Sequence, residues 1–175
     1  MRKVFSFAFL FLILFSIKSN AQLSGTKSIP GDYATILDAV TALNAAGVGS
    51  GGVTFQVAAG HTELTTAPIN IKATGTAVDP IIFIKNGAGS NPLITRTDGG
   101  SLSTSTLGAQ GDAVIILDGS DYVRFDGIDV ATSLQGIEYG YYLRKANTDD
   151  GCKYVTIQNC NIDMTKGTSS YVVGI

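Results

Sequence analysis

Histidine occurs once and cysteine only twice in the 175 residues, and tryptophan is absent. With no second His or Cys at ligand spacing, His61 makes no zinc-type site and reads as a turn residue. Cys152 and Cys160 are the whole supply for a disulfide. The strand read between them, Tyr154 to Ile157, advances about 3.3 Å per residue, which holds their Cα atoms beyond the roughly 7 Å a disulfide tolerates. Two free, partly buried thiols are expected. Basic runs are missing as well, which argues against nucleic acid or an anionic membrane as partner. After residue 17 no stretch is long and apolar enough to span a bilayer. Nothing in the chain calls for a metal or a cofactor.

The N-terminus carries the one long apolar run. Arg2 and Lys3 precede an unbroken hydrophobic segment from Val4 to Ile17, and Ser19-Asn20-Ala21 supplies small residues. That order is the pattern of a secretory signal peptide over residues 1–21, cut before Gln22. The run is short for a membrane anchor, and no cysteine follows it for lipid attachment. The expectation is an exported protein, secreted or held at the cell surface. Residues 22–175 then retain 9 basic against 14 acidic side chains, enough chain for one domain with a real core.

Residues 22–31 read as a lead-in ending in a Pro-Gly turn, with the folded domain over 32–175. Asp32 is placed to cap a helix on which Tyr33, Ile36, Leu37, Val40 and Leu43 share one face. The GVGSGG stretch ends it. From Val53 the period changes to two, giving strands at 53–57, 68–71, 81–87, 92–96, 113–119 and onward, with AAGHTEL read as a turn.

Two later stretches repeat each other. KYVTIQNCNID at 153–163 lies over DYVRFDGIDV at 121–130, placing Val155 on Val123, Ile157 on Phe125, Asn159 on Gly127 and Ile162 on Val130. Gly and Asn enter the left-handed backbone region at least cost, so both copies bend at the same point between two short strands. Strand triplets begin near 68, 113, 137 and 171, which suits a stacking coil with loops of varied length. In that arrangement Val123, Phe125, Val155 and Ile157 point inward and Tyr122, Arg124, Tyr154 and Thr156 outward, with Tyr122 stacked on Tyr154. A β-sandwich is the alternative. The scarcity of two-residue hairpin signals, Asn86-Gly87 excepted, weighs against it. The chain stops inside YVVGI with no turn or cap, so a fragment of a longer protein or an interrupted reading frame is expected.

On these motifs the chain resembles right-handed parallel β-helix proteins of the pectin-lyase-like type over residues 32–175. DYATILDAVTALNAAGVGSGGVTFQVAAGHTEL is similar to that family's capping helix and first strand, with His61 and Thr62 where the family has Thr-Tyr. YVTIQNCNI is similar to its coil motif, in which the Asn position stacks into a ladder. The wording of AVIILDGSDYVRFDGIDV resembles large secreted bacterial surface proteins that end in a type IX sorting domain, an ending this sequence does not contain. The resemblance implies an all-β solenoid whose open first coil is covered by the helix.

Enzymes of the resembling family place carboxylates on an outward sheet face, within reach of a partner carboxylate or water. Asn147-Thr148-Asp149-Asp150-Gly151 is superficially similar to the NTDG element of polygalacturonases, but the other elements of that set are absent, leaving a polar loop. Asp121, Arg124, Asp126 and Asp129 form a second cluster, in positions ordinary for Asp in turns. Tyr122, Tyr142 and Tyr154, with Arg124 and Arg144, offer apolar faces and polar tips suited to sugar rings. The expected function is a non-catalytic scaffold for adhesion or glycan binding, with polysaccharide or a cell-surface glycan and downstream domains of the same protein as partners. The alternative is the N-terminal part of a polysaccharide lyase or glycoside hydrolase whose active site lies past Ile175.

Overall fold

The computed structural model describes residues 21–100, 112–165 and 172–175. Residues 1–20, with nearly all of the expected signal peptide, lie outside them. Among the described residues, twelve strands and one helix follow in the order β1 (Leu23–Ile29), α1 (Ile36–Ala46), β2 (Val48–Ala58), β3 (Thr62–Thr65), β4 (Ile69–Ile71), β5 (Ile81–Asn86), β6 (Leu93–Arg96), β7 (Ala113–Asp118), β8 (Val123–Asp126), β9 (Asp129–Thr132), β10 (Tyr139–Arg144), β11 (Thr156–Gln158) and β12 (Ile162–Met164). They form three sheets: β1-β2-β5-β8-β11, β3-β6-β9-β12 and β4-β7-β10. Every pairing between these strands is parallel. From β2 onward the chain visits the first, second and third sheets in turn and then returns to the first. After β12, Val173 bridges Tyr139 in parallel, next to the third sheet. The antiparallel layers of a sandwich are not found among the described strands.

The register is the one the repeat predicts. Phe125 pairs with Ile157 and Val130 with Ile162. Inward positions of the first sheet place Phe55, Phe83 and Phe125 above one another, all fully buried. Their rings stack at 4.7 and 5.0 Å. Tyr33 meets Phe55 edge-on at 6.0 Å, and Tyr141 meets Phe125 edge-on at 5.1 Å. An aromatic column therefore runs through the interior, flanked by Ile69, Ile71, Ile94, Ile115 and Leu117. Tyr141 is buried from its ring to its hydroxyl, which donates to the Ile128 carbonyl at 2.7 Å. Burial pushes that phenol well above its ordinary pKa.

Four readings of the N-terminal end change. Thr35, not Asp32, caps the helix: its hydroxyl accepts from the Asp38 N–H at 3.0 Å. Asp32 instead accepts from the Ser28 N–H and hydroxyl, closing the preceding turn. The buried helix face is Ile36, Ala39, Val40 and Leu43, while Leu37 is 38% exposed and Tyr33 precedes the helix. The lead-in contains a strand, β1, which pairs along the outer edge of β2. AAGHTEL contains another, β3, on which Glu63 and Thr65 face inward and Leu64 is 75% exposed.

The helix is fastened at both ends to the edge strands of the second and third sheets. Glu63 of β3 accepts from the N–H groups of Ile36 and Leu37 at 2.8 and 3.0 Å, satisfying donors that a helix start leaves open. Near its other end Asn44 donates to the Asn70 carbonyl at 2.8 Å and accepts from the N–H groups of Lys72 and Ala73. Together β1 and α1 cover the strand edges that open sheets leave unpaired. Asn44→Ala is expected to cost about 1–2 kcal/mol, since these bonds are solvent-accessible. A chemical denaturation midpoint unchanged from wild type would contradict that fastening.

Candidate functional site

Tyr122 and Tyr154 each stand just before a first-sheet strand, with φ of 53° and 55°. A bulky side chain in the left-handed region is uncommon and costs about 1 kcal/mol or more. Here it occurs twice at the same point of the repeat. The turn is held by the Tyr122 N–H donating to the Lys153 carbonyl at 3.0 Å and the Lys153 N–H donating to Asp121 Oδ1 at 2.7 Å. Both rings are thereby directed outward and stack at 4.4 Å with 19° between planes. Tyr154 is 70% exposed. Partial burial, followed by the neighbouring Tyr154, raises the Tyr122 phenol.

Arg124 is the next outward residue along β8, exposed and paired with Asp126. Asp126 also accepts from Asn159 Nδ2 at 2.7 Å and Gln158 Nε2 at 2.9 Å. The Asn159 bond outweighs burial and, with help from Arg124 and Gln158, holds its carboxyl below the ordinary range.

Tyr142 and Arg144 are elsewhere. Both belong to β10 in the third sheet, so the five residues singled out from the sequence form two groups on different sheets. Tyr142 stacks on Tyr139 at 4.4 Å. Arg144 grips Asp118 through Nε and a terminal nitrogen at 2.9 and 2.8 Å. This bidentate pair ties β10 to β7, raising the Arg144 pKa and lowering that of Asp118. The guanidinium is committed to the fold, which leaves Tyr122, Arg124 and Tyr154 as the open group.

The acidic cluster is satisfied by nitrogen donors. Asp129 accepts from Asn91 Nδ2 and from the Asn161 N–H and Nδ2 at 2.7, 2.8 and 3.1 Å. Among the described residues no three His, Cys, Asp or Glu side chains converge as a metal site. His61 lies in the turn between β2 and β3, its N–H donating to the Ala58 carbonyl at 3.0 Å. Asn147 and Asp150 close a short loop in which Asn147 Oδ1 accepts from the Asp149 N–H. Cys152 and Cys160 are free and half-buried. The outward run on β8 continues into a recess lined by Ile84, Lys85, Asn91, Asp126, Gly127 and Asn159. No sequence signal marked Lys85 or Asn91, because loops separate both from the repeat. No protein-family model, curated protein or solved structure matches this chain.

Proposed function

We propose that the chain is an exported scaffold module built as a right-handed parallel β-helix, with α1 and β1 as its cap, and that the outer face of its first sheet binds carbohydrate without cleaving it. The cyclic visit to three parallel sheets supports the architecture. Strand-to-strand crossovers of this kind are right-handed in nearly all proteins, and the sequence resemblance to pectin-lyase-like proteins points the same way. Export rests on the basic, apolar and small-residue order of residues 1–21.

The observation that carries the binding reading is the Tyr122–Tyr154 pair. Two aromatic rings are held outward in a costly backbone conformation, one of them 70% exposed, with a guanidinium at the next outward position. A sugar ring presents C–H groups to an aromatic face and hydroxyls to polar tips, and both partners are present. Tyr154→Ala removes the exposed face and leaves the interior untouched. Binding to the best glycan on an array is expected to weaken about 3- to 10-fold, with the thermal midpoint nearly unchanged. Undiminished affinity would reject the site, and turnover of the bound glycan would reject the non-catalytic assignment.

A further inference from the structure

Ile84 pairs with Asp126, and Asp126 with Gln158. One residue along, Lys85, Gly127 and Asn159 therefore fall in one row at the corner between the first and second sheets. Gly127 and Asn159 hold the same bend, with φ of 70° and 56°, but only Asn159 carries a side chain. The gap at Gly127 opens a recess of about 240 Å³. A side-chain carbon on Gly127 would stand 3.3 Å from Asn91 Oδ1 and from Lys85 Cβ.

The groups around this recess have capacity left over. Asn91 spends its amide N–H groups on Asp129 and the Asn159 carbonyl, at 2.7 and 2.8 Å, which turns its Oδ1 towards the recess. Lys85 Nζ donates to the Gly89 carbonyl at 3.2 Å and keeps further N–H donors. Asp126 receives Arg124, Gln158 and Asn159, about three of the four positions a carboxylate offers. Lys85 and Asp126 cancel in charge. An anion meets Asp126, and a cation meets Lys85 and Arg124. Groups that donate and accept at once, without charge, match the lining. Those groups are hydroxyls.

We infer that the recess floored by Gly127 and walled by Lys85, Asn91, Asp126 and Asn159 is the orienting subsite for one uncharged, hydroxyl-rich sugar ring of the carbohydrate held on the Tyr122–Tyr154 platform. The inference rests on the glycan reading above and narrows it to neutral saccharides. Tyr122 stands just before β8 and Arg124 and Asp126 alternate outward along it, so platform and recess are about 13 Å apart. A short oligosaccharide spans that distance, with one ring on the tyrosines and another in the recess. The recess is smaller than the roughly 300 Å³ or more of drug-sized pockets, which suits a single ring.

The test is calorimetric titration of the whole chain with neutral gluco-, manno- and xylo-oligosaccharides and, separately, with oligouronates. Gly127→Asn fills the recess with the residue that the next strand already carries at this bend. Lys85→Met removes a donor and keeps the stem. With thermal midpoints close to wild type, each is expected to weaken the best neutral ligand about tenfold. Should Gly127→Asn disturb folding, Lys85→Met decides. Neutral binding that both variants leave intact while Tyr154→Ala abolishes it would overturn the subsite and leave the platform standing. Preference for oligouronates would overturn the neutral class alone. If neither panel binds the wild-type chain, the glycan reading falls and the subsite with it.

Discussion

Phe83→Ala is expected to lower the unfolding free energy by about 3–5 kcal/mol, the usual cost of deleting a buried aromatic ring. Phe83 is the middle ring of the interior column, fully buried between Phe55 at 4.7 Å and Phe125 at 5.0 Å. Its removal strips one face from each neighbour, where each such pair adds about 0.5–1.5 kcal/mol beyond burial. The surrounding strands are held in register on both sides, Phe83 pairing with Phe55 and with Phe125, so the void has little room to collapse. Phe83→Leu, which keeps most of the volume, is expected to cost about 1.5 kcal/mol or less. Urea denaturation followed by circular dichroism measures both. An alanine variant as stable as the leucine variant would mean that the rings are not stacked in a closed interior.

Glu63→Ala is expected to cost about 2–4 kcal/mol, because it orphans the N–H groups of Ile36 and Leu37 at the start of the helix. Glu63→Gln keeps one acceptor and should lose less. The pair also carries a pH signature. Burial raises the Glu63 carboxyl above its ordinary 4.5, outweighing the two N–H groups that favour the charge. The native state then holds this proton more tightly than the unfolded chain. Through this residue, stability rises as pH falls from neutrality towards 4.5 and declines as pH climbs back through the raised pKa. Asp32, Asp118 and Asp126 act in the opposite sense, but their pKa values lie below the ordinary 3.8, so their contribution is lost only in more acid solution. Wild type should therefore gain stability relative to Glu63→Gln between pH 7 and pH 5. Parallel curves for the two proteins would show that the carboxylate does not sit beneath the helix.

Much of this was legible in the chain because it is local. Alternation in YVRFDG and YVTIQN assigns Val123 and Phe125 inward and Tyr122 and Arg124 outward, and the Gly or Asn after them marks the bend. Those features do not depend on what packs above or below, and the pairing of Phe125 with Ile157 follows from laying one copy over the other. The helix was legible for the same reason, through the spacing of Ile36, Val40 and Leu43. Its cap was not, since counting Tyr33 into the apolar stripe set the helix start at Asp32, whereas Tyr33 lies ahead of the helix and Asp32 is taken up by the turn to Ser28.

What the sequence by itself determined, then, is the all-β character, the repeat, the register and the outward tyrosines, each encoded within a few residues of backbone preference and side-chain alternation. Tertiary structure alone decided three things. β3 turns Glu63 and Thr65 inward and Leu64 outward, against the hydrophobic pattern, because the first circuit ends beneath a helix whose open N–H groups need an acceptor. β1, a polar segment with little strand pattern of its own, becomes a strand because the β2 edge offers unpaired backbone groups. Tyr142 and Arg144 separate from Tyr122, Arg124 and Tyr154 because membership of a sheet depends on how many bends lie between two residues, and alternation along one strand carries no record of that.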